Sequence, residues 1–419
     1  MAEDQTLTST DCQQYLKSDE MAEDQPLTST DCQQYSKFDE LADDQHLTST
    51  DCQQYFKSDE RAEDHPLTDC QPLLTSGWTG STKYDNPKEW KDWRRPNALS
   101  FLKMKCKERN QAGIPSKLDL DKTLPVHFIE HEERKKLENP PESDIQIMWI
   151  GHATLLVQFG GITLLTDPVF LDRCSPTQMV GPKRYRPVPC SIEDLPGIDA
   201  VVISHNHYDH LEYDAVVNLL KINNNIKWFV PMGLKSWFLD WIVELGCQEK
   251  NVIEMTWWDI KEHVIKEKYP TKFICVPAQH WSQRNATDAM KSLWCGWVVK
   301  TDKLTFYYSG DTGYCPVFKQ IGKKFGPMDL SAIPIGCYEP KYFMKPQHID
   351  PEQAVTIHKE VGSKKSVGIH WGTFDGLGSH EHYLEPKEKL EEEARKQLQN
   401  EDFFTVEHGE IKVIKTTVN

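Results

Sequence analysis

The sequence predicts a layered α/β domain preceded by an acidic tail that lies outside it. Three observations predict this. From residue 144 onward, short runs rich in β-branched and aromatic residues alternate with helical stretches, and several neighbouring runs are spaced as hairpins. Four of those runs end in histidine or aspartate, which gathers ligand-type side chains at one rim of a sheet. The first seventy residues instead repeat a polar 20-residue unit too poor in apolar residues to build a core.

The charge divides the same way. The 419 residues carry a net charge of −16, but residues 1–70 hold 18 acidic and 4 basic side chains, and the remainder 46 and 44. The body is therefore near neutral, which excludes a polyanionic, disordered body. No run reaches the roughly 18–20 apolar residues that span a bilayer. The opening Met-Ala-Glu-Asp-Gln has neither a basic nor an apolar leader region, so no secretory signal is expected and Asn285-Ala286-Thr287 carries no weight as a sequon. Twelve scattered cysteines without a CxxC pair predict free thiols in a reducing compartment, not a disulfide framework.

Residues 1–70 contain three near-copies of one unit, each with Leu-Thr-Ser-Thr-Asp-Cys-Gln-Gln-Tyr, and the start of a fourth. Thr10 and Gln13, with their counterparts Thr30 and Gln33, Thr50 and Gln53, have capping-box spacing. The expectation is a disordered or transiently helical tail; a partner-binding array is the functional alternative. Residues 71–143 read as linker and lead-in. From Lys83 to Arg109 there are nine basic and four acidic residues, interleaved with Tyr84, Trp90, Trp93 and Phe101. That composition suits a membrane interface or a strap packed across the domain.

Residues 144–419 form the predicted catalytic domain. Its strands are expected at 145–150, 154–159, 162–166, 200–204, 228–230, 252–255, 273–276, 294–299, 304–309, 330–335 and 366–369. Helices are expected at 212–221, 234–245, 351–361 and 386–400. Trp228, Phe229, Trp237, Phe238 and Trp241 are read first as core and second as the wall of a lipid channel. His263, His358, His380, His382 and His408 have no ligand partners legible in sequence and are expected at the surface.

The chemistry lies after the strands. The run at 200–204 is followed by His205-Asn206-His207-Tyr208-Asp209-His210, the run at 273–276 by His280, that at 304–309 by Asp311 and that at 366–369 by His370. His205, His207, Asp209 and His210 crowd one tight loop and cannot all reach one tetrahedral ion. They can serve two: His205 and His207 on one, Asp209 and His210 on the other. His280 and His370 then complete one shell each, and Asp311 bridges. Seven nitrogen and oxygen ligands with positions left open predict a catalytic pair of zinc ions. Asp311-Thr312-Gly313 also spells the aspartic-protease triplet, but that chemistry needs a second carboxylate motif the chain lacks.

His-Asn-His-Tyr-Asp-His is the HxHxDH signature, and with Trp149-Ile150-Gly151-His152-Ala153-Thr154 and Leu165-Thr166-Asp167-Pro168 it resembles the metallo-β-lactamase superfamily. Further strings make the chain similar, from about Tyr84 onward, to the N-acylphosphatidylethanolamine-hydrolysing phospholipase D family. They are Gly181–Arg186, Ser204–Leu211, Gly310–Pro316, Ile335–Pro340, Gln347–Pro351 and Ile369–Phe374. The resemblance implies a four-layer αββα sandwich. It implies a zinc-dependent phosphodiesterase that releases N-acylethanolamine and phosphatidate through metal-activated hydroxide attack on phosphorus. It carries over the same seven ligands, with catalytic weight on Asp209 and Asp311, and places Tyr208 and His348 near the substrate phosphate or behind the ligands. It further implies an N-acylated phospholipid substrate, peripheral attachment to intracellular membranes (Golgi or endosomal) and a homodimer.

The tail has no counterpart in that family. The stretch between His210 and His280 is longer than the resemblance leads one to expect. Gln283, Thr287 and Asp375 stand where it leads one to expect Lys, Met and Ala at a bile-acid pocket, so bile-acid regulation is not carried over. The rival enzymes are a lactonase, a cyclic nucleotide phosphodiesterase or a nuclease of the same fold, and the non-enzyme rival is a membrane scaffold. The near-neutral body argues against a nucleic-acid partner.

Overall fold

The structure, a computed structural model, describes residues 83–96, 112–242, 245–399 and 401–416. The repeat tail and Phe101 lie outside the described residues. The chain enters through α1 (Lys117–Thr123) and α2 (His131–Glu138). Ser116 caps α1 by accepting from the Asp119 N–H. A meander of β1 (Ile145–Gly151), β2 (Thr154–Phe159) and β3 (Ile162–Thr166) follows, then β4 (Lys183–Arg184) and β5 (Ala200–Val202). After α3 (Tyr213–Ile222), β6 (Lys227–Pro231), α4 (Lys235–Ile242) and β7 (Val252–Met255), the second half opens with β8 (Ile260–Ile265) and β9 (Tyr269–Val276). It continues through β10 (Gly296–Lys300), β11 (Thr305–Tyr308), α5 (Val317–Phe325), β12 (Met328–Pro334), α6 (Lys341–Met344) and α7 (Pro351–Glu360). It ends with β13 (Ser363–Ile369), β14 (Phe374–Asp375), α8 (Glu385–Gln397), β15 (Phe403–Phe404) and β16 (Ile411–Ile414).

Among the described residues these strands form two seven-stranded mixed sheets. One runs β16-β1-β2-β3-β5-β6-β7, the other β15-β13-β12-β11-β10-β9-β8, and β14 with β4 makes a small third sheet. Hairpins are antiparallel, and connections that pass through a helix or long loop are parallel, as at β3–β5, β5–β6 and β12–β13. Alternate residues of the first sheet serve two cores. Ile145, Ile147, Trp149, Leu155, Val157 and Leu164 join Phe273, Trp297, Val299 and Phe306 between the sheets. Met148, Ile150, Leu156, Leu165, Val201 and Trp228 pack outward beneath Val216, Leu219 and Leu220 of α3. A sheet covered on both faces reads as continuous apolar runs, which is why β1, β2 and β3 are buried at every residue.

The lead-in behaves as a strap over its described part. Trp90 is buried and stacks on Trp257 with ring centroids 5.7 Å apart. Asn86 Nδ2 donates to the His280 carbonyl at 2.7 Å, and Trp93 Nε1 donates to Asp85. A Trp90 ring held there is not available to a membrane.

Two expectations are overturned by burial. His358 is on the inner face of α7, with Nδ1 2.8 Å from Ser366 Oγ on β13. His408 is fully buried, 4.1 Å from the Trp149 ring and 3.2 Å from Thr373 Oγ1. Neither is a surface residue; their partners are remote in sequence or on another element. Trp228, Phe229 and Phe238 are core, as first read, while the Trp241 side chain lies outside the described residues.

Candidate metal centre

The rim is assembled from strand ends. Ser204 follows β5 and is tied to the second sheet by the Cys295 N–H, which donates to the Ser204 carbonyl at 3.0 Å. The segments after β9 and β11 are joined by Gly313 N–H to Gln279 O at 2.7 Å, and the His370 N–H reaches across to His152 O at 2.9 Å. Gly310 delivers Asp311. It has φ +60, and a Cβ there would lie 2.7 Å from both the Cys295 carbonyl oxygen and Ser204 Cβ, so the turn admits no side chain. His152, Asp167 and His370 take positive φ despite their side chains, a conformation that persists only where the surroundings impose it.

The sequence-predicted ligands come together in two groups. His205 Nε2 lies 2.8 Å from His207 Nδ1, which lies 3.3 Å from His280 Nε2. His210 Nε2 and His370 Nε2 lie 3.5 and 3.8 Å from Asp209 Oδ2. Asp311 stands between them: Oδ1 is 3.1 Å from His370 Nε2, and Oδ2 is 3.1 Å from His210 Nε2 and 3.7 Å from His280 Nε2. Two nitrogens bound to one tetrahedral zinc ion sit about 3.3 Å apart, so both groups have the span of a cation's shell.

The outward nitrogens are also arranged. His280 Nδ1 donates to Gln347 O at 3.0 Å, His205 Nδ1 meets Ser204 Oγ at 2.9 Å, and His210 Nδ1 meets Asp167 Oδ2 at 2.6 Å. Each bond turns the ring's other nitrogen inward, the usual support of metal-binding imidazoles. Asp167 is itself fixed by the Ser204 N–H at 2.7 Å and by the Tyr308 hydroxyl. Inward-facing His210 Nε2 and His370 Nε2 are buried and make no hydrogen bond. Orphaned imidazole nitrogens beside two buried carboxylates fit a cation.

Sequence reasoning missed His152 and Asp167 as site residues, although both lie in strings it singled out. His152 Nε2 is 2.9 Å from Asp209 Oδ2, and its ring is 3.8 Å from that of His370. The strand-end rule, applied also to β1 and β3, would have found both.

Burial holds most of these imidazoles neutral. It takes His207 down to about 4 and His205 and His280 well below their ordinary value, nearby imidazoles adding to the effect at His205 and His280. Burial pushes the Asp311 carboxyl up, but His210 and His370 more than offset it, and it stays well below the usual carboxylate range. Asp209 behaves alike beside His210 and His152. For His210 burial is outweighed by Asp311, Asp209 and Asp167, which raise it well above the usual imidazole value. The neutral rings of His205, His207 and His280 and the two ionised carboxylates are what a divalent ion requires, and an ion bound beside Asp311 would take the place of the His210 proton.

A cavity of about 340 Å³ opens onto the cluster, lined by His207, Asp209, Asp311 and His348 and walled by Trp281, Phe343, Met344 and Leu377. His348 Nδ1 is 3.8 Å from Asp311 Oδ2. Tyr208 does not line this cavity; its ring lies under the Arg284 guanidinium at 4.0 Å. Gln283 lines it, while Asp375 is on β14.

A sequence model of the Beta-lactamase superfamily domain matches residues 163–371. The chain is 46% identical over 334 residues to N-acyl-phosphatidylethanolamine-hydrolyzing phospholipase D 1 of Caenorhabditis elegans, covering 78% of this chain and 91% of that one. It is 31% identical over 343 residues to N-acyl-phosphatidylethanolamine-hydrolyzing phospholipase D, mitochondrial, of Saccharomyces cerevisiae, covering 74% and 70%. A metal-dependent hydrolase of Metallosphaera sedula is 29% identical over 55% of this chain and 85% of its own.

Proposed function

The chain belongs to the N-acyl-phosphatidylethanolamine-hydrolysing phospholipase D family, and on that premise we propose that it cleaves N-acylphosphatidylethanolamine at the cluster around Asp311, using two zinc ions. It is a metal-dependent hydrolase of the metallo-β-lactamase fold, releasing N-acylethanolamine and phosphatidate. The observation that carries the site assignment is the division of one carboxylate between two donor groups, Asp311 Oδ1 toward His370 and Oδ2 toward His210 and His280.

His205, His207 and His280 would hold one ion, Asp209, His210 and His370 the other, with Asp311 shared. Bound there, zinc supplies Lewis acidity toward phosphoryl oxygens and makes a water acidic near neutral pH. The chain's own residues do the rest. Asp311 and Asp209 accept hydrogen bonds from the attacking water and hold it in line with the phosphorus–oxygen bond that breaks. The new oxygen bonds to phosphorus, and the N-acylethanolamine oxygen leaves and takes up a proton. His348, at the cavity wall, orients the phosphate, and Trp281, Phe343, Met344 and Leu377 exclude water around the glycerol and acyl portions. Tyr208 serves the same phosphate indirectly, by fixing the loop through Arg284.

None of the described helices is long and apolar enough to cross a membrane. A lipid substrate then calls for peripheral attachment, and residues 97–109 carry the remaining basic charge of the lead-in. The test is release of N-acylethanolamine from synthetic substrate by zinc-loaded and chelator-stripped protein, with metal counted per chain. Turnover that survives complete stripping overturns the metal assignment; no release from loaded protein overturns the substrate.

A further inference from the structure

Cys337 follows the end of β12 and takes φ +68, a left-handed conformation in which a side chain is costly. The turn is imposed by Glu381. Its carboxylate accepts from the backbone N–H groups of Cys337 and Glu339, and from the Ser379 hydroxyl. The thiol lines the 340 Å³ cavity and also the small cavity of about 50 Å³ behind His152 and His370. It forms no disulfide.

Cys337 Sγ, a ring nitrogen of His348 and a ring nitrogen of His370 all lie within 4.8 Å of one another. His348 Nδ1 and both nitrogens of His370 are buried without a hydrogen-bond partner, and the residues are only 8% and 2% exposed. The seven-ligand arrangement proposed above uses neither the thiol nor His348. One sulfur and two imidazoles make a softer donor set than the oxygen-bearing groups beside it, and such sets select thiophilic ions.

We propose that Cys337, His348 and His370 form a further cation site, selective for thiophilic metals, whose occupation inhibits the enzyme. His370 serves both ions, one through each ring nitrogen, so the thiol proton and the His370 N–H proton pass to solvent as the bonds form; nothing is oxidised or reduced. An ion held there draws on His370, which also faces Asp209 and Asp311, and it stands in the cavity that leads to them. Inhibition thus rests on the hydrolase reading, whereas binding does not.

The test uses the zinc-loaded full chain and cadmium as probe, comparing wild type with Cys337→Ser and Cys337→Ala. Wild type is expected to take up one cadmium per chain without releasing zinc and to gain a thiolate-to-cadmium absorption band. Its turnover is expected to fall at least ten-fold. The variants are expected to lack that equivalent and that increment of the band, and to need at least ten-fold more cadmium for half-inhibition. Bands from the other cysteines are common to all three proteins and subtract out. If both thiol variants misfold, His348→Gln reads the same stoichiometry with every thiol retained, and is expected to lose the extra equivalent. Zinc released in proportion to cadmium bound overturns the site, as do equal uptake and band in variants and wild type. Uptake and band as expected without inhibition overturns the inhibitory role alone.

Discussion

His152 Nε2 lies 2.9 Å from Asp209 Oδ2, while the His152 backbone carbonyl accepts the His370 N–H at 2.9 Å. One residue of the β1–β2 turn therefore holds two members of the Asp209, His210, His370 group. His152 takes φ +53 to do so, and its imidazole is kept mostly neutral, at about 3, by burial and by His370. As a neutral ring it donates to Oδ2, the oxygen that also faces His210 and His370, and so fixes how the carboxylate is presented to a cation. His152→Ala is expected to lower metal affinity about 10–100-fold, as loss of such supporting bonds does. The loss should fall on one of two equivalents when metal is counted after graded chelation. His152→Gln, which can still donate, is expected to recover part of it. Equal retention of both equivalents in the alanine variant would remove His152 from this role.

Arg284 pins the ligand loop from outside. Its Nη1 donates to Asn206 O at 3.0 Å and to Leu211 O at 2.7 Å, the two ends of the stretch that carries His207, Asp209 and His210. Arg284→Ala leaves two carbonyls and the Tyr208 face without their partner. It is expected to cost about 2–4 kcal/mol of stability in denaturant unfolding. Arg284→Lys is expected to recover little, because an ammonium cannot reproduce the planar fork and the stacking.

How much of this was legible in the sequence follows from where each signal lies. His205, His207, Asp209 and His210 announce themselves because four ligand types fall within six residues. His280, Asp311 and His370 were singled out because each follows an apolar run. Asp167 and His152 obey the same rule but were not assigned, since a single polar residue between two strands looks like a turn. The edge strands β8 and β16 were missed for a physical reason. β8 is exposed along most of its length and reads Ile-Lys-Glu-His-Val-Ile, with only Ile265 fully buried, too little to impose a pattern. His358 and His408 were misplaced because their burial depends on partners such as Ser366 and Thr373, reached only by folding.

Gly310 tests whether the position of Asp311 depends on its turn. With the Cys295 carbonyl and Ser204 Cβ each 2.7 Å from a new Cβ, Gly310→Ala forces either β11 or the β5 end to move. Both carry ligands. The expected cost is about 2–4 kcal/mol, from the left-handed conformation and the overpacking together. Metal retention is expected to fall as well, because moving one end of the site changes both donor groups. A variant with wild-type melting and two retained equivalents would show that the rim tolerates displacement.

The pH dependence of stability should carry a signature from His358. Burial takes its imidazole down from 6.5 to about 4, with Lys359 and Lys365 acting in the same direction and Asp402 against them. Below pH 6.5 the unfolded chain takes up a proton that the folded chain does not, so unfolding is favoured progressively as pH falls toward 4. The sign is therefore a loss of stability on acidification, absent above pH 6.5 and complete near pH 4, of up to roughly 3 kcal/mol. The proposed metal ligands also respond to acid, so a single profile cannot isolate this group. The difference between wild type and His358→Asn can, because every other titrating group is common to both. Asparagine keeps a polar atom toward Ser366 Oγ without binding a proton. The difference in unfolding free energy between pH 7 and pH 5 is expected to be smaller in the variant by about 1–2 kcal/mol. Parallel profiles would mean that His358 takes up its proton in the folded state, and that Asp402 outweighs burial.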